Sequence, residues 1–221
     1  MVGRLASLEG QIEVQTTGAS TWQAATLNQS LCQGDTVRAG ARSRATVALI
    51  NQAVLRIDQN SAMRLDNITG VTEERSVLSL LKGAFQSFSR KPRGFEVSTP
   101  YLNGSIEGTE FVFRVTDDES ILTVFEGLVL ASNDQGSASV SGGEAVAARA
   151  GQAPQVRTVV RPRDAAQWSM YYPPILATGG GEAVSPALRQ AADDLSVGQV
   201  DAARSSVDQA IAAAGADAGL A

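Results

Sequence analysis

From Val2 to about Ala150 the apolar residues alternate with polar ones in short runs, and each run is closed by Gly, Asn, Asp or Ser. A period of two puts successive side chains on opposite faces of a strand, whereas a helix needs apolar residues three and four apart. This stretch is therefore predicted to be a series of short strands. Leu5 and Leu8 to Val14 give the first. Ala45, Val47 and Leu49 follow, then Ala53, Leu55 and Ile57 after an Asn51-Gln52 turn. Met63 with Leu65, Val77 to Leu81, Phe85 to Phe88, and Phe95 with Val97 continue the pattern. Phe111, Phe113 and Val115 alternate up to an Asp117-Asp118-Glu119 tip, and Ile121, Thr123 and Phe125 return, which reads as a hairpin. Leu128 to Leu130, Ala138 with Val140, and Ala145 to Ala147 complete the series. The spacing suits a sandwich, a barrel or a solenoid and does not choose among them.

The character changes after Gly151. Residues 152–184 hold Pro154, Pro162, Pro173, Pro174 and the run Gly179-Gly180-Gly181, with Trp168, Tyr171 and Tyr172 interleaved: a linker with an aromatic anchor. Residues 185–221 then read as a small α-helical hairpin. Ser185-Pro186 supplies an N-cap with proline at the first helical position. Leu188, Ala191, Ala192 and Leu195 recur at helical spacing, Gly198 breaks the run, and Val200, Ala203, Val207, Ala210 and Ile211 line a second helix ending at Gly215.

Charge and missing residue types remove whole classes of function. Through Arg163 there are 16 basic and 16 acidic residues, while the remainder has two basic and seven acidic, so the net charge of −5 belongs to the C-terminal quarter. A neutral body with an acidic tail is a poor polyanion binder, which argues against nucleic acid. The chain has no histidine, which excludes imidazole acid–base relays and most zinc sites. No cofactor and no metal site is expected. The single cysteine, Cys32, cannot form an intramolecular disulfide and reads as a small core hydrophobe. No apolar run is long enough to span a membrane, and the start MVGRLASLEGQIEV lacks the apolar core of a signal peptide. If the protein is exported, its signal is expected to have been removed from this sequence.

Several of the strands carry a pattern of their own. Gly34-Asp35-Thr36-Val37-Arg38-Ala39-Gly40, Ser43-Arg44-Ala45-Thr46-Val47-Ala48-Leu49, Leu55-Arg56-Ile57 and Asn60-Ser61-Ala62-Met63-Arg64-Leu65 resemble the FecR domain family. Downstream, Leu78-Ser79-Leu80-Leu81-Lys82-Gly83, Phe95-Glu96-Val97-Ser98-Thr99-Pro100, Glu107-Gly108-Thr109-Glu110-Phe111 and Thr123-Val124-Phe125-Glu126-Gly127 are similar to its later segments, so the resemblance runs from roughly Gly3 to Gly151. It implies a bacterial envelope protein with a periplasmic, mainly β domain built as a β-solenoid or β-sandwich-like stack of short strands, here residues 1–151. The family's iron-signalling members are membrane-spanning anti-sigma regulators. This sequence departs from them, having no N-terminal sigma-binding helices, no membrane helix and no recognisable short secretin/TonB domain. The tail from Gly198 to Ile211 is similar to one tetratricopeptide repeat. A lone repeat cannot bury its own face, so the chain is expected to be the front of a longer array.

Candidate sites compete with ordinary structural roles. Gly34, Gly83, Gly108 and Gly127 are expected at strand ends as turns rather than in a phosphate cradle, since none opens a helix. Thr99-Pro100 reads as a strand exit whose hydroxyl satisfies nearby backbone groups. Asp117, Asp118 and Glu119 read as a solvated tip; a calcium site would need about six to eight oxygens. Glu107, Glu110 and Glu126 read as edge charges, although a glycosidase pair would use carboxylates roughly 5 to 9.5 Å apart. Arg90-Lys91-Pro92-Arg93 and the trio Arg157, Arg161 and Arg163 are basic clusters, either solvated or facing an acidic glycan, a lipid head group or an acidic partner. Trp168, Tyr171 and Tyr172 are expected to dock onto the β body or the hairpin, with partner or sugar recognition as the functional alternative.

The expected protein is not an enzyme. It is a periplasmic interaction or scaffold module whose repeats bind a protein or an envelope glycan, with Trp168, Tyr171, Tyr172, Arg157, Arg161 and Arg163 as candidate contacts. The periplasmic part of an anti-sigma regulator is the alternative, and a glycan hydrolase the last choice.

Overall fold

Alternation becomes a hydrogen-bonded network in which, among the described residues, every strand pair is antiparallel. A computed structural model describes residues 1–70, 75–159, 161–169, 190–191 and 202–209. The chain divides into two units, Met1–Ser169 and Met170–Ala221. In the first, the strands are β1 (Gly3–Glu9), β2 (Ile12–Gln15), β3 (Gln23–Ala24), β4 (Ser30–Leu31), β5 (Thr36–Ala39), β6 (Arg44–Leu49), β7 (Val54–Ile57), β8 (Ala62–Asn67), β9 (Ser76–Ser98), β10 (Asn103–Val115), β11 (Glu119–Asn133), β12 (Gly136–Ser141), β13 (Glu144–Arg149) and β14 (Gln155–Thr158). A 3₁₀ segment, Pro162–Ser169, follows and packs on β11.

β9 belongs to two ladders. Its first part pairs with β8, which continues through β5 and β2 to β3; its middle pairs with β7 on one side, leading to β6, β1 and β4, and with β10 on the other, leading to β11, β13 and β14. The inward rows of both ladders, such as Val14, Val37, Met63 and Leu80 from one and Leu5, Val47, Leu55 and Ile57 from the other, merge in a single buried cluster. Phe85, Phe95, Phe111 and Phe113 extend it under the long strands. Their ring centroids lie 5.9–6.1 Å apart, mostly edge to face. Each such burial is worth roughly 1.5–3 kcal/mol relative to exposure.

The arrangement is a mainly β sheet and not a clear solenoid. Coils of a solenoid stack in parallel, whereas all the ladders here are antiparallel, and the stack of short strands is replaced by strands of 23, 13 and 15 residues, β9, β10 and β11. Three expected strands, at 77–81, 85–88 and 95–97, are one bent strand. Glycine is the reason. Gly83 does not end a strand but sits inside β9 at a φ of 82°, where a Cβ would come within 2.2 Å of the Ser61 hydroxyl. There β9 leaves β8 (Lys82 opposite Ala62) for β7 (Phe85 opposite Ile57). Ser61 Oγ fills the gap, accepting from Ala84 N at 2.9 Å and donating to Ala84 O at 3.1 Å.

A second bend crosses three strands at one level. Phe88 and Arg93 of β9 stand opposite Glu110 and Gly108 of β10, so four residues, 89–92, face Thr109 alone. On the other side of β10, Gly108 lies opposite Gly127, which has a φ of 114°, and Cβ atoms there would come within 2.4–2.6 Å of the facing carbonyls. Gly108 and Gly127 are thus mid-strand bend positions too, while Gly34 is in a turn as expected, with Gly34 N donating to Leu65 O.

The hairpin of β10 and β11 has the expected limbs, Val115 pairing with Ser120 and Phe111 with Val124. Thr99 forms the expected corner: its hydroxyl bonds Leu102 O, Leu102 N and Ser120 Oγ. Cys32 is a correction, for it is exposed. Leu31 takes the core position in β4, so the next residue points away, and Cys32 N instead donates to Asp35 Oδ2 at 2.7 Å.

β14 and the 3₁₀ segment fall within the stretch read from sequence as a linker, and β14 is tied to β13. In the second unit residues 202–209 are helical, within the expected second helix. The Ser185-Pro186 cap, the Gly179–Gly181 run and most of the helical-repeat pattern lie outside the described residues. Among the described residues no helix is long and apolar enough to cross a membrane.

Candidate protein-binding surface

The two faces of β11 differ. Leu122 and Val124 point into the core, fully buried, while Thr123 and Phe125 point the other way. On that outer face Thr123 is opposite Ala145 of β13, which is opposite Arg157 of β14, so strand parity puts Arg157 on the side that carries Phe125. After β14 the chain enters the 3₁₀ segment on β11. Phe125, Arg161, Pro162, Arg163 and Asp164 line an open groove of about 380 Å³. Apolar floor comes from the Phe125 ring and Pro162, charge from the two guanidinium groups, and one carboxylate stands at the wall. Asp164 Oδ1 accepts from Gln167 Nε2 at 3.3 Å.

Most arginines of the sheet are held by a neighbouring side chain, and Arg4 and Arg56 by the amides of Asn28 and Gln86. Arg38 is tied to Glu13 at 2.6 Å, Arg75 to Glu107 at 2.7 Å, Arg149 to Glu119 at 3.3 Å, Arg64 to Asp66, and Arg44 and Arg114 flank Asp58 at 3.7 and 3.8 Å. Arg157, Arg161 and Arg163 are exposed, and among the described residues no carboxylate pairs with them. Trp168 is half-buried in the same segment, its indole N–H donating to Ala165 O at 2.9 Å. Tyr171 and Tyr172 lie outside the described residues.

Other candidates fall into structural settings. At the hairpin tip the Tyr101 hydroxyl donates to Asp117 O at 2.5 Å, the Thr116 hydroxyl to Asp118 Oδ1 at 2.9 Å, and Glu119 meets Arg149. No group of three metal-ligating side chains occurs among the described residues. Glu107 and Glu110 are held by Arg75 and Gln86, and Glu110 stands opposite Glu126 on the bent part of β10 and β11. Arg90-Lys91-Pro92-Arg93 spans the bulge of β9.

Sequence reasoning missed Phe125 as groove floor; its parity, out of step with Leu122 and Val124, was the available signal. It also missed two charged settings. Asp58 is buried, and that burial raises its carboxyl above the usual value, opposed by the Gln59 N–H and by the charges of Arg114 and Arg44. Glu13 is lowered by its hydrogen bond from Arg38, whose guanidinium also lies 4.1 Å over the Trp22 ring.

Comparison with known proteins bears on the same sheet. Two crystal structures of a protein described as a candidate anti-sigma factor from Parabacteroides distasonis ATCC 8503, at 2.50 and 1.65 Å resolution, match with a TM-score of 0.53 at 14% identity. Each match covers 61% of this chain and 63% or 64% of the other, so the chain spans less than two thirds of their length, and the likeness is one of fold. No curated protein matches the sequence. Residues 35–130, from the turn before β5 to the far side of the bend in β11, match the family model described as FecR protein.

Proposed function

We propose that this chain is a non-catalytic, protein-binding part of a bacterial signalling regulator of the anti-sigma type, working on the envelope side of that system. The observation that carries this is that residues 35–130 match the FecR family model while the fold is similar to that of a candidate anti-sigma factor. The chemistry of the side chains supports a binding role. The chain has no histidine, Glu107 and Glu110 are engaged by Arg75 and Gln86, and Arg161 and Arg163, without carboxylate partners among the described residues, flank a groove rather than a cleft of converging acids. Protein is the partner class, because the groove pairs an aromatic floor with arginines, the residue types enriched at protein interfaces.

The test is transcriptional. The chain, supplied with an export signal and overproduced in a bacterium that encodes it, should shift the transcripts dependent on one alternative sigma factor and leave the others unchanged. An unchanged transcript profile at confirmed envelope levels of the protein contradicts the proposal.

A further inference from the structure

We infer that the groove between Phe125 and the Pro162–Ser169 segment takes an acidic polypeptide segment that also carries an apolar side chain. This rests on the protein-binding function proposed above and adds the chemistry of the partner. Three arginines within seven residues of sequence are exposed and unpaired by carboxylate among the described residues, whereas Arg114 of β10 and Arg149 of β13, on the strands beside β11, face Asp58 and Glu119. Planar guanidinium forks match carboxylates bidentately, so the arrangement is complementary to spaced Asp or Glu side chains. Phe125 and Pro162 provide apolar surface between those charges, which water covers poorly and an aliphatic or aromatic side chain covers well. Asp164 on the same wall repels a dense polyanion and tolerates carboxylates set apart by the spacing of a peptide. The body that carries the groove is electrically neutral in formal charge through Arg163, so attraction is local to this patch. Arg157, Arg161 and Arg163 lie beyond the stretch matched to the FecR family, so the acidic specificity belongs to the segment C-terminal to that core.

Isothermal titration of the full chain tests this, with the peptide (Glu-Glu-Leu)₄, its neutral analogue (Gln-Gln-Leu)₄, and vesicles of phosphatidylcholine containing phosphatidylglycerol as separate titrants. The acidic peptide should bind, the neutral one at least about tenfold more weakly, and affinity should fall as NaCl rises from 50 to 300 mM, as screened surface charges require. The double variant Arg161→Glu/Arg163→Glu should lose the binding while keeping the melting temperature, since both side chains are exposed; Arg161→Gln, which keeps a polar side chain, should weaken it by less. Equal binding by wild type and double variant, no binding of the acidic peptide, or preference for the vesicles would each overturn the inference. Loss of peptide binding with the sigma-dependent transcripts still responding removes the groove assignment alone, whereas silent transcripts with intact binding remove the signalling role alone.

Discussion

Gly83 and Ser61 show how one pair of small residues decides what a long strand does. With φ at 82° and the Ser61 hydroxyl where a Cβ would stand, Gly83→Ala meets both backbone strain and a clash. It should cost about 1–3 kcal/mol in urea denaturation, the range for a strained non-glycine backbone. Ser61→Ala leaves Ala84 N without its partner at a buried site and should cost about 1–3 kcal/mol, the penalty for an unsatisfied buried donor. An effect under about 0.5 kcal/mol for both variants, the scatter of ordinary surface substitutions, would contradict that account of the bend.

Asp58 gives a pH signature. Because burial raises its carboxyl in the folded chain, the folded state holds more protons than the unfolded one between the unfolded value, about 3.9, and the raised folded value. Its contribution is therefore present at low pH and is lost as pH rises through that window. The stability of wild type minus that of Asp58→Asn, followed from pH 3 to 7, should fall with pH and then level; a rising difference contradicts the assignment. Glu13 runs the opposite way. Its lowered carboxyl stabilises the fold above the unfolded value and loses that contribution as pH falls through the folded one. Cys32, exposed beside a buried Leu31, should react fully with a thiol reagent in the absence of denaturant. Protection until unfolding would restore it to the core.

At the scale of elements, the hairpin of β10 and β11 was legible because everything that specifies it is local: alternating Phe111, Phe113 and Val115, an acidic turn, and a returning run. The tip closes on itself through Thr116 N to Glu119 O. What the alternation could not reveal is continuity. A glycine within a strand pattern marks either an end or a bend, and only pairing partners distant in sequence, such as Ala62 for Lys82 or Val115 for Gly83, settle which. Strands read as separate at 77–81 and 85–88 are joined for this reason, and the same uncertainty kept sandwich and solenoid together. Cys32 failed differently: β4 is two residues long, too short for a period to show. Phe111, touching Phe85, Phe95 and Phe113, links the parts of the sheet on either side of the bend. Phe111→Ala should cost about 3–5 kcal/mol, as for large aromatic truncations in packed cores, against less than about 1 kcal/mol, the surface norm, for Leu130→Ser on the exposed face. Similar losses for the two would contradict the placement of the core.

For the molecule as a whole, the groove draws on two separate parts of the sequence. The FecR-matched stretch supplies the bent β9 to β11 and the Phe125 ring; the segment after β14 supplies charge. Of the surface, the arginine trio was visible in sequence as a basic cluster, but not the convergence of Arg161 and Arg163 on Phe125, which depends on a 3₁₀ segment packing onto a strand nearly forty residues earlier. The most direct measurement is site-specific photo-crosslinking in living cells. A benzophenone-bearing phenylalanine at position 125 should capture a protein in the envelope, and the same probe at position 50, where Ile50 is exposed at a turn elsewhere on the sheet, should capture none. Capture at 50 with none at 125, or no protein adduct at either, would contradict a sheet that exists to present this groove to a partner.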